Sequence, residues 1–188
     1  MSATALLSAA EERMKKAIAS LQKEFTAIRT GRANPALLDK VEVEYYGTNT
    51  ALKSLANIST PDGRSLVVQP YDKSALKEIE AAINKSELGL TPNNDGNLIR
   101  IVIPSLNEER RKDLTKLVKK FAEDARIAVR NIRRDIVEEL KKLKHQKDAQ
   151  VSEDEIKRQE DLLQKLTDKF VKEIDGIVQK KEAEIMEV

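Results

Sequence analysis

The sequence predicts an α+β protein, mainly α, in which an elongated three-helix bundle carries a small inserted α/β domain rich in strand. Three observations point to this class. Of the 188 residues, 35% are charged and 3% aromatic, a balance suited to long helices with exposed charged faces. All five prolines fall between Pro35 and Pro104, five of the six glycines between Gly31 and Gly96, and Tyr45, Tyr46 and Tyr71 share that window, whereas Phe25, Phe121 and Phe170 lie outside it. Outside the window, apolar residues recur at spacings of three and four. Pro and Gly interrupt helices. Residues 1–30 and 105–188 therefore read as one discontinuous helical domain, and residues 31–104 as the insert.

The first helix carries Leu7, Met14, Leu21 and Ile28 at seven-residue intervals, with Ile18 and Phe25 between them, the spacing of a packed seam. The second continues the rhythm through Leu114, Val118, Phe121, Ala125, Ala128 and Ile132, then Ile136, Leu140 and Leu143. It should run about 38 residues, roughly 60 Å. Asn107 or Ser105 can cap its start. The third lines one face with Ile156, Leu163, Leu166, Phe170, Ile174 and Ile177, and Ser152 with Glu155 has capping-box spacing. Phe121 is expected to face Phe25 and Phe170 across the bundle.

In the insert, Val41, Val43 and Tyr45 alternate with Glu42, Glu44 and Tyr46, as in a half-buried strand. Ser65–Gln69 and Leu98–Ile103 are further strand runs, and Ser54–Thr60 a weaker one. Asp72 can cap a helix reaching about Ser86, with Leu76, Ile79, Ala82 and Ile83 on one face. Thr91–Asn97 has turn chemistry, because Asp-Gly suits a tight hairpin. Both connections to the bundle should lie close together. Gly31 and Arg32 on one strand of chain, Pro104 and Ser105 on the other, form a candidate hinge; equally, Gly31 and Pro104 can simply end a helix and a strand.

Composition narrows the chemistry. Without Cys there is no disulfide framework and no thiolate site, and a single His145 excludes a multi-histidine metal centre. No phosphate loop, dinucleotide fingerprint, nucleophile elbow or zinc-protease motif is present. No enzyme, no resident metal and no cofactor is expected. No apolar run reaches the length of a membrane span. The start of the chain has no secretory pattern, so a cytoplasmic protein is expected.

Charge is sorted along the chain. Residues 110–147 hold 14 basic and 6 acidic side chains, a net of +8; residues 148–188 hold 7 basic and 12 acidic, a net of −5. In the basic helix, Arg126, Arg130 and Arg133 share a face and Arg134 adjoins it. Guanidinium groups stacked in this way suit a phosphate backbone. They suit equally well a solvated face paired to the acidic third helix.

Four segments carry a more specific signal: KEFTAIRTGRANPALLDKVEVEYYGT, ELGLTPNNDGNLIRIVIPSLNEERRKDLTKLVKK, ARIAVRNIRRD and QKLTDKFVKEID. In order, and over essentially the whole chain, they resemble the bacterial-type ribosome recycling factor family. The resemblance implies an L-shaped molecule made of a three-helix bundle and a hinged α/β domain. It implies binding to the large ribosomal subunit after termination and, with elongation factor G and its GTP hydrolysis, separation of the subunits with release of mRNA and tRNA. It also implies ribosomal-RNA contacts at Arg29 and Arg32 in IRTGR, Arg110 and Arg111 in EERRKD, and Arg130, Arg133 and Arg134 in VRNIRRD. A helix-start arginine such as Arg111 can instead pair with Asp113 or Glu108. Organelle members usually have an N-terminal extension, which this chain lacks, so a bacterial-type, monomeric, cytoplasmic factor with no membrane partner is expected. The rival reading from bundle and charge alone is a helical adaptor or chaperone-like binding protein.

Overall fold

The structure, a computed structural model, describes residues 2–146 and 151–187. The chain divides into two compact units. One combines the chain up to Phe25 with Asp113–Ala183; the other holds Thr26–Lys112 with the chain end from Glu184.

Three helices build the first unit: α1 (Ala3–Thr26), α4 (Glu108–His145) and α5 (Glu153–Met186), with α4 spanning 38 residues. Their starts are set by side-chain caps. Ser2 Oγ accepts from Ala5 N at 3.1 Å, Asn107 Oδ1 from Arg110 N at 2.7 Å, and Ser152 Oγ from Glu155 N at 3.1 Å. Each satisfies a backbone donor that the first helical turn leaves without a partner. Asn107, rather than Ser105, is therefore the cap of α4. Glu155 turns its carboxylate to Gln159 Nε2 at 2.9 Å.

The seams lie where the periodicity puts them, but their centres differ from several expected residues. On α1, Ala3, Leu6, Ala10, Met14, Ile18, Leu21 and Phe25 are buried, and Leu7 only partly. On α4 the buried line is Leu114, Val118, Ala122, Ala125, Val129, Ile132, Ile136 and Leu140; Phe121, Ala128 and Leu143 flank it, half-buried. On α5, Thr167 and Val178 are buried, while Leu166 and Ile177 are partly exposed. Leu6, Ala122, Val129, Thr167 and Val178 each stand one residue from the expected Leu7, Phe121, Ala128, Leu166 and Ile177; Ile28 lies beyond the end of α1 at Thr26, and Leu143 has no buried residue beside it. An apolar stripe is wider than a single line of side chains, so a large residue on its flank competes in the sequence with a smaller one at its centre. Ala122, for example, occupies the centre and Phe121 leans against the edge.

The second unit is a small α/β module. Its strands are β1 (Glu42–Tyr45), β2 (Thr48–Ala51), β3 (Ala56–Ser59), β4 (Ser65–Pro70), β5 (Pro92–Asn94) and β6 (Ile99–Val102); a short α2 (Leu52–Leu55) and α3 (Leu76–Lys85) complete it. β1 and β2 form an antiparallel hairpin, and the other four make an antiparallel sheet in the order β3-β4-β6-β5. Val43, Leu52, Leu66, Val68, Ile79, Ile83, Ile99 and Ile101 are fully buried in one core. Burial of each such side chain stabilises by about 1.5–3 kcal/mol.

Three expectations change here. The segment Thr91–Asn97 is not all turn: Pro92–Asn94 pairs with β6, and the turn is confined to residues 95–98, where Asp95 Oδ1 accepts from Asn97 N and Leu98 N, each at 2.9 Å. Proline is tolerated because β5 is an edge strand and Pro92 its first residue. Ser54 and Leu55 belong to α2, which shortens the third strand to Ala56–Ser59. Asp72 caps a 3-10 turn, Lys73–Ala75, from which α3 continues.

Asp72 also ties this helix start to the hairpin. Its carboxylate accepts from Ser74 Oγ (2.8 Å), Ser74 N (3.0 Å) and Tyr45 Oη (2.8 Å). The bonds from Ser74, with that from Tyr45, hold the Asp72 carboxyl below its ordinary pKa. The same carboxylate pushes the Tyr45 phenol up to about 12.

Candidate nucleic-acid interface

In the first unit, helical geometry grades the arginines of α4. At about 100° per residue, Arg126 and Arg133 flank the buried Val129–Ile132 line, whereas Arg130 and Arg134 point away from it. Exposure follows: Arg126 and Arg133 are half-buried, Arg130 and Arg134 exposed. Arg126 reaches α5, donating to Asp175 Oδ1 from Nη2 at 2.7 Å and from Nε at 3.3 Å, and its Nη1 lies 3.5 Å from Glu123 Oε2. Arg126 thus does what the paired-face reading expects. Arg130 Nη1 lies 3.3 Å from the other Glu123 oxygen, Oε1. Among the described residues, Arg133 and Arg134 have no ion-pair or hydrogen-bond partner at the side chain. The helix therefore presents two differently occupied pairs: Arg126 and Arg130 engaged by carboxylates, Arg133 and Arg134 free to receive anions.

The remaining arginines of interest lie in the second unit. Arg29, half-buried, donates from Nη1 to Leu88 O at 3.1 Å, which secures the segment that follows α1. Arg32 is exposed and its Nη1 lies 3.8 Å from Glu187 Oε2. Arg110 is exposed, and Arg111 is half-buried beside a polar cavity of about 540 Å³ that Arg32, Arg64 and Asp62 also line. Glu108, offered by the sequence as a partner for Arg111, lies 3.6 Å from Lys112 Nζ. The structure thus gathers Arg32 and Arg111 at one cavity and holds Arg29 on a backbone carbonyl.

The same cavity is bordered by three of the candidate hinge residues, Gly31, Arg32 and Ser105. Gly31 has φ of 70°, in the left-handed region that favours glycine. A Cβ there would sit 3.4 Å from Leu106 Cγ and 3.6 Å from Pro104 O, so the two connections run side by side. Just inside them, Ala33 N donates to Gly63 O at 2.7 Å and Ile103 N to Arg64 O at 2.9 Å. The loop supplying both acceptors is held by Asp62, which accepts from Arg64 N at 2.9 Å and Ser65 N at 2.8 Å. The Arg64 N–H, then the Ser65 donors, lower the Asp62 pKa. Sequence reading missed the carboxylates Glu123, Asp175 and Asp62. Glu123 was detectable from its three- and seven-residue spacing to Arg126 and Arg130, and Asp62 from the Pro-Asp-Gly turn signature at residues 61–63; Asp175, 49 residues from Arg126, left no local signal.

Comparison with known proteins assigns the family. Residues 21–186 match the family described as Ribosome recycling factor. The chain is 56% identical to the ribosome-recycling factor of Bacillus licheniformis, over 98% of this chain and 99% of the relative, and 57% identical to that of Halalkalibacterium halodurans, over 97% and 98%. Among solved structures, a solution structure of the ribosome recycling factor covers 100% of this chain and 99% of its own, with 42% identity and a TM-score of 0.80. Another, described as the T. thermophilus ribosome recycling factor and E. coli elongation factor G bound to the E. coli post-termination complex, covers both chains fully, with 47% identity and a TM-score of 0.68. With more than half of its residues shared along nearly its whole length, and with the same fold, this chain belongs to the ribosome recycling factor family, whose members are non-enzymatic translation factors.

Proposed function

We propose that this chain binds the post-termination ribosome and, with elongation factor G and GTP, promotes its dissociation into subunits with release of mRNA and tRNA. The observation that carries this reading is full-length likeness to a recycling factor described with elongation factor G on a post-termination complex. In this reading GTP is hydrolysed by the partner, and the chain acts as a cytoplasmic monomer. No helix among the described residues is long and apolar enough to cross a membrane.

Arg29, Arg32, Arg110, Arg111, Arg130, Arg133 and Arg134 are proposed as contacts to ribosomal RNA. Support is strongest for Arg133 and Arg134, whose guanidinium groups have no carboxylate to displace among the described residues. It is weakest for Arg29, whose donor is already spent on Leu88 O. Gly31, Arg32, Pro104 and Ser105 are proposed as a hinge between a helical domain, residues 1–30 and 105–188, and an inserted domain, residues 31–104. The bonds at Ala33 and Ile103 support this placement, because they fasten the chain just inside those four residues; the compact units themselves divide between Phe25 and Thr26 and between Lys112 and Asp113.

The test is sedimentation of post-termination ribosomes with this protein, elongation factor G and GTP. Free subunits should appear only when all three are present. Intact ribosomes in the complete mixture would overturn the proposal, and salt-insensitive binding of unrelated unfolded proteins would favour a chaperone-like adaptor instead.

A further inference from the structure

One carboxylate on α4 is shared between two of its arginines. Glu123 lies seven residues before Arg130 and three before Arg126, so all three share one face. Its oxygens are divided between them: Oε2 is 3.5 Å from Arg126 Nη1, and Oε1 is 3.3 Å from Arg130 Nη1. Arg126 does not depend on Glu123, because Asp175 accepts from both its Nε and its Nη2. Arg130, by contrast, has Glu123 as its one carboxylate partner among the described residues. A carboxylate and a phosphate use the same guanidinium donors, so Glu123 occupies an edge of Arg130 that an RNA phosphate would need. The pair is about half exposed on both sides. Water competes there, and the contact is weak enough to be exchanged.

We infer that Glu123 is an intramolecular competitor for RNA phosphate at Arg130, a specificity-determining residue that suppresses binding to polyanions at large. The inference rests on the reading of the α4 arginines as RNA contacts. Discrimination is a difference of affinities, and a repulsive element raises it. A flexible polyanion offers phosphates at no fixed position and gains little by displacing Glu123. A folded RNA already seated on Arg133 and Arg134, which have no such competitor among the described residues, holds one phosphate beside Arg130 and displaces the carboxylate locally. The opposing charge then costs the wrong ligand more than the right one.

The experiment uses full-length protein and two probes: isolated large ribosomal subunits, and heparin as an unstructured polyanion, each titrated at several salt concentrations. Glu123→Gln keeps the side-chain shape and removes the charge. It should tighten heparin binding about three- to tenfold, tighten subunit binding less, and steepen the salt dependence. In an Arg130→Ala background the same substitution should change heparin binding less than about twofold. Tighter binding is a readout that a merely structural role for Glu123 would not produce. If Arg130→Ala weakens subunit binding but Glu123→Gln leaves heparin binding unchanged or weaker, the RNA face stands and the competitor role fails. Equal tightening with and without Arg130 would assign the effect to net charge and also overturn it. If Arg130→Ala alters neither probe at any salt concentration, the underlying reading of Arg130 as an RNA contact fails.

Discussion

Truncating Phe170 to alanine removes the largest apolar group at the centre of the α5 seam and so tests where the bundle core lies. The ring is 3% exposed. Removing a buried Phe from a packed interior costs about 3–5 kcal/mol, the lost transfer energy plus the cavity that remains. Two smaller effects nearly cancel. Alanine is the better helix former by roughly 0.5 kcal/mol. Against that, Lys169 Nζ, 5.6 Å from the ring centroid, loses a contact of roughly the same size. Phe121→Ala supplies the contrast. That ring lies on the flank of α4, half-buried, with Ala122 at the seam centre. Its loss opens little enclosed space and should cost about 1–2 kcal/mol. Urea unfolding followed by far-UV circular dichroism distinguishes the two, the Phe170 variant moving the midpoint by about 2 M for an ordinary slope. A cost under about 1 kcal/mol for Phe170→Ala, or an equal cost for both, would show that the seam is wrongly phased.

Three further outcomes are expected. Arg133→Ala should weaken large-subunit binding without changing thermal stability, and should make the log–log salt dependence shallower by about one unit; unchanged affinity across salt would remove this residue from the interface. Gly31→Ala should destabilise by about 1 kcal/mol, from left-handed strain only partly offset by a stiffer unfolded chain, and by more than Gly47→Ala, where φ is 77° but nothing lies within 4 Å of an added Cβ; equal losses in a denaturant series would mean that the approach of Leu106 is immaterial. Tyr45 should ionise near 12 rather than at 10.0 and move back toward 10.0 in Asp72→Asn, as read by ultraviolet titration of the phenolate. Because the folded-state value is raised, this bond's contribution is complete below 10.0 and is lost as pH climbs to about 12. Asp62, Asp72 and Asp95 have lowered values, so their contributions are complete above the ordinary carboxylate range and fade as pH falls below it.

How much of this was legible in the sequence depended on whether the signal was local. The span of α4 and the caps at Asn107 and Ser152 were readable, because capping involves residues three apart. Strands β4 and β6 were readable from their apolar runs. β5 was not, since Pro92, Asn93 and Asn94 form a strand only by borrowing hydrogen bonds from β6. β2, Thr48–Ala51, is likewise defined by its partner across the Tyr46–Gly47 turn rather than by its own composition. In the candidate interface, spacing placed Arg126, Arg130 and Arg133 on one face but could not show that Asp175, 49 residues further on, takes up the first of them.

The division of the chain has a consequence for synthesis. The unit that holds α1 also needs residues from Asp113 onward, whereas Thr26–Lys112 supplies nearly all of the other unit as one uninterrupted stretch. As the polypeptide emerges, the inserted module can complete its core while α1 still has nothing against which to bury Met14, Ile18, Leu21 and Phe25. Contacts between residues distant in sequence form late because long loops must first close. The first segment made is therefore among the last to find its place, and its apolar stripe stays accessible to chaperones until α4 and α5 have been translated.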